Sequence, residues 1–268
     1  MIDPVIFTLG PLQVRWYGLM YVIAFLVGTE IAKYLARRGF FKVPVEKVDT
    51  MVGYLIVSMF LGARLTYVFV YNWGYYSNNI MELFSVWKGG LSFHGALAGM
   101  ALGAYIFSKR NGVSVLQTFD TFTLCGPQGL LWGRIGNFIN GELYGRVTDS
   151  PLGVVFPTGG PYARHPSQLY EAFFEGLVMM IVVWAVKQKT KTQGVISATF
   201  IMGYAFFRYF IEFFREADSQ LGYYFGGTTT MGQILCFLMF LVGLGMFFYV
   251  KKLNISIDQV PTEASAKS

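Results

Sequence analysis

The sequence predicts an all-α polytopic membrane protein of seven transmembrane helices, with its N-terminus outside and its C-terminus in the cytoplasm. Three observations predict it. Of 268 residues, 54% are hydrophobic and 13% charged, about half the charged share of soluble domains. Apolar runs of about 20 residues, enough to cross a hydrocarbon core about 30 Å thick, recur along the chain. Lysine and arginine gather in alternate connections between those runs. The same composition excludes a disordered chain, a coiled coil and, with 2 cysteines, a disulfide scaffold. A soluble α/β enzyme of this length could not cover its core with so few charges.

The first span is read over residues 17–36. Residues 1–16 have neither a basic start nor a cleavage-site pattern, so no removable signal is expected there. Spans over 50–71 and 89–107 follow, then 115–138, which Asp120, Pro127 and Gln128 interrupt. Runs over 168–186, 194–214 and 231–250 complete the seven. Residues 1–253 are thus expected to form one seven-span domain with an outer connection over 139–167, and 254–268 a disordered cytoplasmic tail. No internal repeat is visible, which argues against a transporter built from inverted halves.

Orientation follows from the basic residues. Lys33, Arg37, Arg38, Lys42 and Lys47 flank the first connection, Lys109 and Arg110 the third, and Lys187, Lys189 and Lys191 the fifth. Lys251, Lys252 and Lys267 follow the last span. These lie on one side, the cytoplasmic one. The net charge of +6 is therefore a topology signal, and no nucleic-acid partner is expected. Arg15, Arg64, Lys88, Arg134, Arg146, Arg164, Arg208 and Arg215 remain, outside or within the membrane, and all but Lys88 are arginine. Arginine is favoured where a planar fork must hold phosphate or carboxylate. The set points to an anionic phosphate ligand, a membrane lipid, in the outer half of the bilayer.

Four stretches concentrate polar groups. Residues 89–95, Gly-Gly-Leu-Ser-Phe-His-Gly, open the third span. His94 there is a functional candidate, because a desolvated imidazole needs a partner; the alternative is a neutral histidine bonded to a carbonyl. Residues 133–145 place Arg134, Asn137 and Gly141 on one helical face and add Asn140 and Glu142 at the membrane exit. Residues 164–171 open the fifth span, with Pro166 as a helix-start signal, Ser167 as the expected cap and His165 either solvated or near a headgroup. Tyr204, Arg208, Glu212 and Arg215 form one stripe on the sixth span. It must face the bundle interior, as a ligand site or a structural ion pair between Arg208 and Glu212. Glu30, Arg64, Asp120 and Glu175 are further embedded ionisable groups without a motif.

Residues 133–145 resemble the signature of the bacterial prolipoprotein diacylglyceryl transferases, G-R-x-[GA]-N-F-x-N-x-E-x-x-G, at every position. The resemblance extends through Asp3–Phe7, Trp16–Gly18, residues 89–95, His165–Glu171 and the 204–215 stripe. The connection over 156–164 is short, where some family members carry a long insertion. The resemblance implies transfer of the diacylglyceryl group of phosphatidylglycerol to the lipobox cysteine thiol of a preprolipoprotein signal peptide. A thioether forms and glycerol phosphate leaves. It implies a catalytic set of His94, Arg134, Arg208, Tyr17, Asn137 and Glu142. It also implies a phospholipid-binding set of Arg134, Arg208, Gly145, Tyr204, Glu212, Arg215 and His165, in a cytoplasmic (inner) membrane with the site towards the outer face.

The chemistry explains the residue types. A thiol of pKa about 8.5 must lose its proton to attack, and a phosphate must leave an sp³ carbon. Arg134 and Arg208 suit the phosphate. His94, with a reference pKa of about 6.5, suits the thiol proton; in a competing version the lipid phosphate takes that proton and His94 orients it. Two histidines far apart, and Cys125 and Cys236 in different spans, give no metal-ligand spacing, and no cofactor is implied. Nothing calls for a partner subunit, so a monomer is expected. Two other classes stay open. Gly90-Leu91-Ser92-Phe93 fits the loose G-x-S-x pattern of rhomboid-like intramembrane serine proteases, and a lipid or anion transporter would also need membrane arginines.

Overall fold

The computed structural model describes residues 2–10, 12–85, 89–216, 223–224 and 229–259. A short hairpin, β1 (Val5–Leu9) and β2 (Leu12–Arg15), precedes the helices α1 (Trp16–Arg37), α2 (Glu46–Tyr71), α3 (Phe93–Arg110), α4 (Val115–Asn140), α5 (Ser167–Lys189), α6 (Val195–Ile211) and α7 (Met231–Leu253). Helices thus occupy every segment read as a span. Four of them, α1, α2, α5 and α7, are long and apolar enough to cross a membrane, and α6 is a shorter apolar helix. Their outer faces carry large apolar side chains in the open, such as Leu26, 63% exposed, and Val242, 65% exposed. A helix that is apolar on its outer face as well belongs in lipid. The chain is a helical membrane protein.

Backbone contacts divide the chain into two units, residues 1–31 with 122–257, and residues 32–121 with the end of the chain. In the second unit, α2 and α3 meet along a seam of small residues. Gly99 lies so close to the Ser58 carbonyl, and Gly95 to that of Gly62, that a Cβ on either would collide with backbone. The buried side chains Leu35, Phe41, Met51, Leu55 and Phe107 fill the space beside the seam. Helix α3 begins at Phe93 rather than at residue 89, because Gly89 and Gly90 hold φ of +84° and +81° and Ser92 caps the helix by accepting from the Gly95 N–H.

In the first unit, α4 runs unbroken through Pro127. The Gln128 amide that marks the interruption in sequence donates to the carbonyls of Ala24 on α1 and Cys125 at 2.8 and 3.0 Å. Its polarity therefore serves packing. Helix α5 contains a π-helical stretch over Ala172–Val178, and Gly176 there lets the backbone of Leu131 on α4 approach closely. Leu124, Met179, Val183, Ile196, Ala198 and Ala205 form the buried core of this unit.

Two connections matter to the site. Residues 141–166 fold back on themselves: the Gly145 N–H donates to the His165 carbonyl at 2.8 Å, and the Arg146 N–H to the Phe214 carbonyl at 3.0 Å. The polar tail expected from residue 254 begins with ordered backbone. The Gln193 N–H donates to Ile255 and the Ile257 N–H to Lys191, both at 2.9 Å. Residues 260–268 of that tail, like Lys88, lie outside the described residues.

Candidate active site

Two helices of the first unit, α4 and α6, and the turn after α6 bring arginines to one carboxylate. Glu171 sits one turn into α5 with its side chain 1% exposed. Arg134 on α4 places Nε 2.6 Å from Glu171 Oε2, Arg208 on α6 places Nη1 3.1 Å from Oε1, and Arg215 donates Nη1 to Oε1 at 2.6 Å. The arginine side chains keep 18%, 17% and 16% of their surface open. Each therefore has one side against a buried anion and another available to a ligand. Removing such a carboxylate would leave buried positive charge uncompensated, so Glu171 holds the arginines in place.

The stripe predicted on the sixth span is present with one change. Helix α6 ends at Ile211, so Glu212 caps it and Arg215 follows in a turn. Arg208 Nη2 lies 3.5 Å from Glu212 Oε2, the expected i, i+4 pair, and Arg215 Nε lies 3.4 Å from the same oxygen. Glu212 Oε1 also accepts from the Thr230 hydroxyl at 3.3 Å, and Gly232 approaches within a Cβ's width of this carboxylate. Glu212 thus lies at the N-terminus of α7, where a negative charge is favoured. Tyr204, half-buried one turn before Arg208, packs on Phe200 with the rings tilted by 30° and their centroids 5.9 Å apart.

The signature residues extend this cluster to the end of α4. Arg134 Nη1 donates to Asn137 Oδ1 at 3.4 Å, and Asn137 Nδ2 to Glu142 Oε1 at 2.9 Å. Asn140 donates to the same Glu142 oxygen at 3.2 Å. Tyr17 on α1 packs on Gly136 and has its hydroxyl 3.0 Å from that of Tyr21. A Cβ on Gly145 would collide with the Phe214 carbonyl and the His165 backbone, so only glycine fits where the 141–166 connection crosses. Ser167 is not the expected cap. Pro166 holds that position, while Ser167 Oγ and Gln168 Nε2 donate to the carbonyls of Leu143 and Glu142 at 3.1 and 2.6 Å. His165 is not freely solvated either: its Nδ1 lies 3.1 Å from the Tyr170 hydroxyl and its ring packs on Phe214.

His94 belongs to the other unit. It is exposed in the first turn of α3, with the Tyr71 hydroxyl 3.4 Å from Nδ1. Ser92 beside it is buried, and its oxygen caps the helix by accepting from the Gly95 N–H. The arginines read as outer do not all stand free for an anion. Arg64 donates to the carbonyls of Glu82, Leu83, Gly89 and Gly90 and lies over the Tyr76 ring. Arg146 donates to the Arg215 carbonyl, Arg164 to those of Gly145 and Gly159 and to Glu216, and Arg15 to Gln13. Buried carbonyls outside regular structure need donors, and the arginine fork supplies several at once. Sequence reasoning assigned Glu171 no role and named it only as the last residue of a polar stretch. Its available signal was a glutamate one turn inside an apolar helix, in a chain with arginines in three other spans.

The fold and the site thus define a helical membrane protein in which three part-exposed arginines meet one buried carboxylate. A sequence profile of the prolipoprotein diacylglyceryl transferases matches residues 4–249, and the chain belongs to that family. It is 45% identical over 243 residues to the phosphatidylglycerol–prolipoprotein diacylglyceryl transferase of Nitratidesulfovibrio vulgaris, covering 91% of this chain and 92% of the relative. The proteins of the same name from Oleidesulfovibrio alaskensis and Pseudoalteromonas translucida are each 46% identical to it, over 93% and 94% of this chain and 94% of both relatives.

Proposed function

We propose that this protein transfers the diacylglyceryl group of phosphatidylglycerol to the thiol of the lipobox cysteine in preprolipoprotein signal peptides, forming a thioether and releasing glycerol phosphate. The observation that carries this reading is the convergence of Arg134, Arg208 and Arg215 on Glu171, in a chain of this family. The cysteine sulfur attacks the sp³ carbon that bears the phosphate, the C–O bond breaks, and negative charge grows on the departing oxygen. Arg134 and Arg208 take that charge through preorganised donors. His94 accepts the thiol proton. Tyr17, Asn137 and Glu142 keep Arg134 in its working orientation, and Gly145, Tyr204, Glu212, Arg215 and His165 form the remainder of the headgroup site.

In the same reading all seven helices cross the cytoplasmic (inner) membrane of a bacterium, the N-terminus lies outside, and the reaction takes place at the outer face of a monomer. The test uses purified protein in detergent with phosphatidylglycerol and a lipobox peptide. Mass spectrometry should find the peptide heavier by one diacylglyceryl group, and a Cys→Ser peptide unchanged. Cleavage of the peptide, or no mass change with either, contradicts the proposal.

A further inference from the structure

Glu175 has no part in that scheme. It lies one turn beyond Glu171, inside the π-helical stretch of α5, and is fully buried. Its Oε1 is 3.7 Å from Arg208 Nη1, yet among the described residues neither of its carboxylate oxygens has a hydrogen-bond partner. Glu171 differs, because it accepts a 2.6 Å hydrogen bond from Arg215. Glu171 fixes geometry, whereas Glu175 contributes charge with no directional contact. A buried anion without hydrogen bonds is costly, and a purely structural role would be served as well by an apolar side chain. π-helical turns collect at functional sites.

The charges suggest what the anion does. The ion pairs join three arginines to three carboxylates, Glu171, Glu175 and Glu212. Arg208 Nη1 is buried between Glu171 and Glu175 at 3.1 and 3.7 Å and makes no hydrogen bond to either, so its charge is balanced by both without a directional contact. The lipid enters as a phosphodiester with one negative charge, and the departing monoester carries up to two. Arginines strong enough to stabilise that departure would also retain the product. A standing negative charge behind Arg208 opposes this.

We propose that Glu175 is a positioning residue that acts through Arg208, weakening the hold of the arginine cluster on the leaving glycerol phosphate and so speeding its release. The inference rests on the transferase reading above. Glu175 is too buried to touch substrate, and its effect is electrostatic. A unit charge at about 4 Å changes an affinity by tenfold or more even at an effective dielectric near 20.

The experiment measures glycerol phosphate affinity, kcat and KM on purified full-length protein carrying Glu175→Gln or Glu175→Asp, with thermal stability alongside. Glu175→Gln should bind glycerol phosphate about tenfold more tightly, with kcat and the KM for phosphatidylglycerol both lowered. Glu175→Asp, which keeps the charge, should stay within about threefold of the parent. Glu175→Met serves the same purpose if the glutamine variant does not fold. Equal or weaker product affinity in the neutral variants overturns the inference, as does failure of both to fold. A parent protein that neither releases nor binds glycerol phosphate overturns the transferase reading instead.

Discussion

Glu171 and Arg64 show what single residues in this sequence disclose and conceal. Both are ionisable groups in apolar surroundings, but sequence reasoning singled out Arg64 and left Glu171 as the end of a polar stretch. Arg64 is held by carbonyls 18 to 26 residues further along the chain, a loop-to-helix contact that no local pattern encodes. Glu171 receives arginines from α4, from α6 and from the turn after α6. Arg134 and Arg208 were legible as candidates because arginine is costly in lipid; the carboxylate joining them was not, because the pairing is tertiary. His94 is the residue whose role depends most on chemistry. Glutamine keeps a hydrogen bond but cannot accept a proton at neutral pH. His94→Gln is expected to lower turnover by about a hundredfold, within the usual range for a lost general base, and to leave phosphatidylglycerol binding within about twofold. Near-normal turnover would assign the thiol proton to the lipid phosphate.

At the scale of elements, each apolar run coincides with a helix among the described residues, and the errors fall at the helix ends. Residues 89–92 read as the start of a span because they continue an apolar stretch, but left-handed glycines and the Ser92 cap move the start of α3 to Phe93. The sixth span read too long because Phe213 and Phe214 are apolar, while the chain turns after Ile211 to bring Arg215 back to Glu171. The 141–166 connection is held by one crossing at Gly145. Gly145→Ala should crowd the Phe214 carbonyl and the His165 backbone, costing about 1–3 kcal/mol of stability as overpacking does, with turnover falling by tenfold or more. Calorimetry and the transfer assay check this together. An alanine variant with parental melting temperature and turnover contradicts the role assigned to the crossing.

For the whole molecule, composition and the length of the apolar runs were enough for a helical membrane protein, because bilayer thickness leaves few alternatives. They could not show that Arg64, Arg146 and Arg164 serve backbone carbonyls. Of the arginines read as outer, Arg134, Arg208 and Arg215 are those left for the proposed anion site. The proposed topology makes its own prediction. A membrane-impermeant thiol reagent should label Asp149→Cys in intact spheroplasts, and Lys189→Cys only after permeabilisation. Both positions are exposed. The reverse pattern would invert the orientation and put the site on the cytoplasmic side.

The central claim is that the arginines gathered on Glu171 hold the leaving phosphate, and Arg208→Lys tests it most directly. Lysine keeps the charge but loses the fork that reaches Glu171 with Nη1 and Glu212 with Nη2. The measurement is cysteine-peptide-dependent release of glycerol phosphate by the purified variant, beside its melting temperature. Loss of one preorganised transition-state contact corresponds to about 3 kcal/mol, so release should fall by about a hundredfold at unchanged stability. Release at the parental rate would make Arg208 a strut for Glu171 and Glu212 and would contradict the account.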